Sequence, residues 1–394
     1  MLKEQMIKVV HNYKYEKRWR HALKARKHGH LEEIHKACKT ANIILQPQPG
    51  EEVFLNKWKR LTPDVSVDFY RFYSFFIGND PNILPDDIFH AIIDPIINDK
   101  VSLPAYLNKN LYEKIVSKEA FPVCVLRNMN GDYLDGNYKD LQMTESLFEK
   151  IILRNEELIQ QGRFIVKPTL ETGRGKGVHL FCYKEGKWIS DENKQMSLAY
   201  LEKEYKHDFI IQECIEPSEF IRQFNPDSYS TCRIFTYRSV IDGNLHFLGG
   251  FLRIGDLGSF RDNISTGGYA IPILENGVLA SFASNGTRNK FGVVNGVDLE
   301  KNRLSVPNFR GVLDLAFLGA SMNPMNRVLC FDIILDHNNV PHIIEINLRA
   351  QTIMTMQTTY KTFFGEYTDE IIDYCVSKLK RGYYPVYPSY LRKY

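Results

Sequence analysis

Residues 164–181 read FIVKPTLETGRGKGVHLF, and the order of residue types in this stretch governs how the chain is read. An apolar run ends in Lys167, a loop with Gly173, Gly175 and Gly177 follows, and a second apolar run begins at once. The pattern predicts strands over 164–168 and 178–183 joined by a glycine loop. Alternate glycines let the backbone turn tightly and remove side chains that would block a phosphate. Backbone N–H groups in such a loop point at an anion. Lys167, closing the neighbouring strand, adds a point charge. The combination points to a nucleotide polyphosphate.

Three familiar loops are excluded. A Walker loop needs Gly-Lys-Ser/Thr opening a helix, whereas Lys176 is followed by Gly177 and strand-forming residues. A dinucleotide fingerprint needs GxGxxG opening a helix, and the spacing here is GxGxG between strands. A protein-kinase loop precedes its lysine and has HRD and DFG partners downstream; here Lys167 comes first and neither partner appears.

A second stretch carries acidic chemistry. VLCFDIIL (328–335) and PHIIEINL (341–348) read as strands joined by DHNNV. Side chains alternate along a strand, so Glu345 and Asn347 share a face while Ile344 and Ile346 fill the other. With DHNN as the turn, Leu335 is expected to pair with Val340. Asp332 then lies opposite Ile343 and diagonal to Glu345, roughly 7 Å away at the backbone. Two carboxylates and an amide oxygen in an apolar hairpin are costly unless paired or metal-bound. Oxygen donors favour Mg²⁺, so Asp332, Glu345 and Asn347 are the expected metal ligands.

The remaining segments alternate helix and strand. Residues 1–45 predict one or two helices, and 46–63 a connector. Asp86–Asp94 predicts a short helix ended by Pro95, and Leu111–Ser117 another. Residues 121–134 predict a hairpin turning at Asn130-Gly131. Thr144–Gln161 predicts one amphipathic helix capped by Thr144. A helix is expected over 196–205, strands over 209–215, 231–240 and 246–255, and a helix within 364–382. The fold class is α+β (α/β). The expected division is a basic helical region (1–60), an N-terminal α/β subdomain (61–160), a central lid subdomain with the glycine loop (161–215) and a C-terminal subdomain with the metal site (216–394).

Composition sets the frame. The chain is 44% hydrophobic and 25% charged with a net charge of +3, an ordinary globular composition that does not mark a nucleic-acid binder. The charge is uneven, because residues 1–40 carry eleven Lys/Arg against four Asp/Glu. That basic segment fits a solvated helix face, or docking on an anionic membrane surface or partner. Seven scattered cysteines without a CxxC pair fit a reducing cytoplasm. No signal peptide or apolar run of membrane-spanning length is expected.

Taken in order, these motifs resemble the ATP-grasp superfamily. The order is a strand ending in Lys-Pro (FIVKP), a glycine loop (GRGKG), a hinge strand (FIIQECI), a strand with an arginine (STCRIFTY), an Asp strand (CFDIIL) and Glu-x-Asn (EIN). Within it, NPDSYSTCR (225–233) and DNISTGG (262–268) resemble the sugar-transfer associated ATP-grasp group, which is connected with capsule and surface-polysaccharide pathways. The resemblance covers roughly residues 120–360. It implies two α+β subdomains gripping ATP. Lys167 would contact the ATP phosphates, and Gly173, Arg174, Gly175, Lys176 and Gly177 would form a lid over them. Gln212, Glu213, Cys214 and Ile215 would edge the adenine, with Glu213 or Glu219 taking the exocyclic amine or the ribose. Arg233 would meet the γ-phosphate or acyl-phosphate. Arg349 would bind the acceptor carboxylate. Asn263 reads equally as a ligand-contacting amide or a turn former. The superfamily's usual earlier lysine is missing from the strand before; Arg127 is the residue best placed to stand in.

The function implied is an ATP-dependent carboxylate–amine ligase. Its substrates would be a sugar acid or related carboxylate and an amino acid or small amine, with ATP and Mg²⁺ as cofactors. The rivals are a kinase on the same fold acting on a hydroxyl, and a non-catalytic nucleotide-binding subunit of a glycan-assembly system. A glycosyltransferase or membrane surface would be met through the basic N-terminus; nucleic acid is not an expected partner.

Overall fold

The structure is a computed structural model. It describes all residues except 1, 99–102, 171–175, 228, 260, 261, 263, 265, 266, 349–352 and 384–394, together with the side chains of 2–12, 15, 103 and 104. The chain is α+β, and two seven-stranded sheets organise it.

The basic segment forms one helix, α1 (Leu2–Ala41). Trp19, Leu23, Ile34, Ala37, Cys38 and Ala41 recur at helical spacing and meet the body. Trp19 also donates its indole N–H to Ala91 O at 3.2 Å. Two aromatic-rich helices follow, α2 (Glu51–Trp58) and α3 (Asp68–Ile77). They bury Phe54, Trp58, Phe69 and Phe72 completely.

The first sheet contains β1 (Cys124–Met129), β2 (Asp132–Asp135), β3 (Asp140–Leu141), β4 (Arg163–Pro168), β5 (His179–Lys184), β6 (Lys187–Ser190) and β7 (Phe209–Glu213). Their order is β3-β2-β1-β7-β4-β5-β6. Asn130 and Gly131 turn β1 into β2 with positive φ at both positions, 54° and 102°, the geometry of a tight hairpin. Phe164, Val166, Phe209 and Ile211 point to one face and pack with Phe148, Ile152, Leu158 and Leu201. Alternation sends Lys167 and Gln212 to the other face, toward the second sheet.

The second sheet contains β8 (Thr231–Arg238), β9 (Leu245–Ile254), β10 (Tyr269–Ile273), β11 (Ala283–Asn285) and β12 (Lys290–Phe291). A small separate hairpin, β13 (Val293–Val294) and β14 (Val297–Asp298), intervenes before β15 (Val328–Leu335) and β16 (Pro341–Asn347). The order is β12-β11-β10-β9-β8-β15-β16. One face packs Ile234, Leu252, Leu329, Phe331 and Ile333 under the helix Phe309–Ser321. Gly319 permits that approach: a Cβ there would stand 2.6 Å from Phe331 Cε1. The other face packs Phe235, Phe251, Val328 and Cys330 under α2, α3 and the C-terminal helix Thr368–Lys380. Two residues further along the same strands, that apolar face ends in Arg233, Arg253 and Asp332.

Four expectations are corrected. The stretch 46–63, expected as a connector, contains α2, anchored in the core by Phe54 and Trp58. The Asp86–Asp94 helix does not stop at Pro95. A π turn (Phe89–Ile93) restarts the helix at Asp94–Ile97, leaving Pro95 in a first turn, where its missing N–H costs nothing. The single helix over 144–161 is two, Glu145–Phe148 with a π turn and then Glu156–Gln161. Asn155 caps the second by accepting from Leu158 N at 3.0 Å. The register of the acidic hairpin is also different. Asp336 Oδ1 accepts from Asn338 and Val340 N–H, so Asp336 joins the turn and Leu335 pairs with Pro341. A bulge at Ile344 then sets Asp332 opposite Glu345 rather than Ile343.

Candidate active site between the two sheets

The site collects where charged positions of the second sheet meet Lys167 of the first. Arg233 on β8 and Asp332 on β15 are cross-strand partners. The guanidinium donates through Nε and Nη2 to the two Asp332 oxygens, 2.8 Å each. Arg253 on β9 approaches the same carboxylate at 3.2 Å and Asp262 at 3.0 Å. Thr231 holds Asp262 in turn, donating its backbone N–H at 3.1 Å and its hydroxyl at 2.6 Å. Glu345 pairs with Lys109 at 2.9 Å. Asn347 donates to Asp332 Oδ2 at 3.3 Å.

Lys167 is 8% exposed, and its ammonium donates to Ile344 O at 3.3 Å. The bulged residue therefore ties the sheets together. Lys109, Tyr112, Glu113, Lys167, Gln212 and Ile344 line one small cavity at this junction.

The electrostatics follow from burial and neighbours. Burial alone would raise the Asp332 pKa, but Arg233 and Arg253 outweigh it and hold the group at about 2. Glu345 is likewise held below the ordinary carboxylate value, its burial outweighed chiefly by Lys109. Burial, reinforced by the Lys109 charge, pushes Lys167 down to about 7. Burial outweighs Arg253 at Asp262 and raises that carboxyl. Two ionised carboxylates thus share one largely desolvated region with Arg233, Arg253, Lys109 and Lys167.

Of the residues singled out in the sequence, Lys167, Arg233, Asp332, Glu345 and Asn347 are brought together. Gln212 lines the cavity, and its side-chain amide donates to Pro122 O at 3.2 Å. The Glu213 carboxylate accepts from Val123 N–H at 2.7 Å, tying β7 to the start of β1. Cys214 and Ile215 are buried, with the Cys214 thiol against the Tyr229 hydroxyl. Glu219 is exposed in the first turn of the helix Glu219–Arg222. Gly177 has φ 75°, and a Cβ there would lie 3.0 Å from Pro168 Cγ. Tyr205 OH donates to Gly177 O at 2.9 Å, so this end of the glycine loop is anchored. Lys176 is next to it in the turn. Gly173, Arg174, Gly175, Asn263 and Arg349 lie outside the described residues.

Arg127 is placed differently from the expectation. It is fully buried, pairs with Glu113 at 2.6 Å and lies over the Tyr138 ring at 4.1 Å. The cation that stands in the cavity beside Lys167 is Lys109, which the sequence reading missed. Lys109 lies on a single 3₁₀ turn, outside any strand or helix period, and only tertiary contact reveals it. Arg253 was also missed, though a signal existed: it is a charge two residues after Phe251 on a strand whose face is otherwise apolar.

The donor set fits a divalent cation of the Mg²⁺ type. The described residues contain no cluster of three His, Cys, Asp or Glu. Asp332, Glu345 and Asn347 would supply two carboxylates and an amide oxygen, and water or phosphate the rest, which is how Mg²⁺ is held at nucleotide sites.

Comparison with known proteins bears on the same region. The sequence matches the model of the sugar-transfer associated ATP-grasp family over residues 91–368. No curated protein matches it. Similar solved structures include an ATP-grasp superfamily protein from Archaeoglobus fulgidus, at 14% identity and TM-score 0.35 over 71% of this chain and 56% of that one. An L-amino acid ligase from Bacillus licheniformis matches at 14% and 0.34, over 69% and 48%. A D-alanine–D-alanine ligase from Bacillus anthracis matches at 12% and 0.37, over 72% and 69%. The matched part spans about half the length of the first two of these proteins. With the family model covering well over half of its length, this chain belongs to the sugar-transfer associated ATP-grasp family.

Proposed function

We propose that the protein is an ATP-dependent carboxylate–amine ligase that forms an amide through an acyl-phosphate, in the assembly of a capsule or other surface polysaccharide. The observation that supports it is the opposed pair Asp332 and Glu345, the first buried and the second half-buried, set among Arg233, Arg253, Lys109 and Lys167.

A carboxylate does not react with an amine in water, because oxide is a poor leaving group. Transfer of the γ-phosphoryl group to a carboxylate oxygen gives an acyl-phosphate and ADP. Attack by the amine on the acyl carbon then expels phosphate, and the nitrogen loses a proton. Asp332, Glu345 and Asn347 would hold Mg²⁺, which when bound neutralises charge on the phosphates. Lys167 and Lys109 bind the phosphate oxygens, with Lys109 in the role first expected of Arg127. Arg233 stabilises the equatorial charge of the transferring group. Arg349 takes the acceptor carboxylate, and the glycine loop with Lys176 covers the phosphates and keeps water from the intermediate. The chain from Gln212 to Ile215 edges the adenine, with Glu219 at the ribose and Asn263 at the bound ligand. The acceptor is a sugar acid and the amine an amino acid or other small amine. The enzyme works in the cytoplasm, peripheral to the inner face of the membrane, with α1 as its docking element.

Hydroxylamine trapping tests the intermediate. With ATP, Mg²⁺ and the correct carboxylate but no amine, the ligase yields a hydroxamate. A kinase acting on a hydroxyl yields ADP and a stable phosphate ester, and a non-catalytic subunit yields neither.

A further inference from the structure

The two faces of α1 are sharply different. Trp19, Ile34, Ala37 and Cys38 face the body. At 100° per residue, the opposite side of the helix carries Lys14, Lys17, Arg18, Lys24, Lys36 and Lys39, all exposed. None of these six has an acidic partner among the described residues. The cations that do have partners, Arg20 with Glu16 and Lys27 with Asp64, lie off this ridge. The one carboxylate on the ridge, Glu32, is met by His28 at 3.2 Å.

The ridge runs about 38 Å from Lys14 to Lys39 at 1.5 Å per residue. The whole chain carries only +3, so this face concentrates cations that the rest of the surface balances. Five of the six are lysines, compact point charges without the planar fork that pairs with bases or phosphate pairs. No Phe, Tyr or Trp lies on the ridge between Lys14 and Lys39 to stack on a single-stranded base, and of its three histidines, His21, His28 and His35, the last two are paired with Glu32 and Asp68. An extended band of point charges along one helix face complements a broad, diffusely anionic surface. Lysines within a Debye length of anionic lipid each add attraction, and salt removes it.

We infer that the exposed face of α1 docks on an anionic lipid bilayer. This rests on the docking role proposed for α1 above and specifies its surface as anionic lipid rather than a protein partner. Its test reads no catalysis, so failure here and failure of the ligase reading are separable.

The test is co-sedimentation of the full chain with phosphatidylcholine vesicles and with vesicles containing phosphatidylglycerol, at low salt and at about 0.5 M salt. The bound fraction should be at least about tenfold higher on the anionic vesicles and fall to the neutral level in high salt. A variant with Lys14→Glu, Lys17→Glu, Arg18→Glu and Lys24→Glu should lose this binding and keep the wild-type melting temperature and ATP turnover, because these side chains are solvent-facing. Equal binding to neutral vesicles, undiminished binding by the variant, or binding to single-stranded RNA with none to vesicles would each overturn the inference.

Discussion

Asp332 and Glu345 stand directly opposite each other across β15 and β16, and the bulge at Ile344 puts them there. Like charges directly opposite on a sheet repel, so the arrangement depends on its counter-charges. Asp332 has the greater share, a two-point contact with Arg233 plus Arg253. Removing the charge at Asp332 strands two partly buried guanidinium groups. Asp332→Asn should therefore destabilise the protein by about 3–5 kcal/mol, read by urea unfolding. Glu345→Gln, which releases only Lys109, should cost less. Equal and small effects would mean that water screens the pair.

Lys109 and Arg127 are predicted to separate cleanly. Lys109→Met removes a cation from the cavity beside Lys167 and should weaken ATP binding about 10- to 100-fold, measured by nucleotide titration. Arg127→Met leaves the Glu113 carboxylate buried without its partner. That change should lower stability by about 3 kcal/mol or more, seen as a fall in melting temperature. The reverse pattern, with Arg127 governing nucleotide affinity, would restore it as the phosphate ligand.

How far the sequence spoke depends on which physical signal each residue carried. Period-two alternation located the strands bearing Lys167, Arg233, Asp332 and Glu345, because a charge on an apolar strand stands out. It could not locate Lys109, whose 3₁₀ turn has no period and which reaches Glu345 across 236 positions of sequence. Alternation also missed the bulge at Ile344, since two adjacent isoleucines read as ordinary strand. Pro95 signalled a helix end, yet the preceding π turn, invisible in composition, gave it a permitted place. Asn155 was legible as a cap only in hindsight of the helix break it starts.

Stability should depend on pH through the α1–α3 junction. Burial pushes the Asp86 carboxyl up to about 7, although Tyr73 donates to it at 2.6 Å. Burial pushes Asp87 up to about 6, outweighing the backbone N–H groups of Ile88 and Asp87 that oppose it. Both folded values exceed the unfolded one near 3.9. Their contribution is fully present below about pH 4 and is lost as pH rises through 6 and 7, at about 1.4 kcal/mol per unit for each group while its linkage lasts. Melting temperatures across that range should fall with pH, and Asp87→Asn should flatten the curve. An unchanged slope in the variant would show that Asp87 ionises freely.

The end of the glycine loop should tolerate no side chain. Gly177→Ala meets both a left-handed φ and Pro168, a strain of about 1–2 kcal/mol. Loop closure should suffer more than folding, so KM for ATP should rise several-fold with a melting temperature near wild type. An unaltered KM would remove Gly177 from the lid.

The central claim is amide formation, and the most direct measurement is Mg²⁺-dependent ATP turnover against uronic acids and amino acids, singly and in pairs, with Glu345→Ala as control. The account predicts sustained ADP and free phosphate only when a carboxylate and an amine are both present, and a silent control. ADP formed with a single hydroxyl acceptor and without free phosphate would contradict it, as would turnover that Glu345→Ala leaves intact.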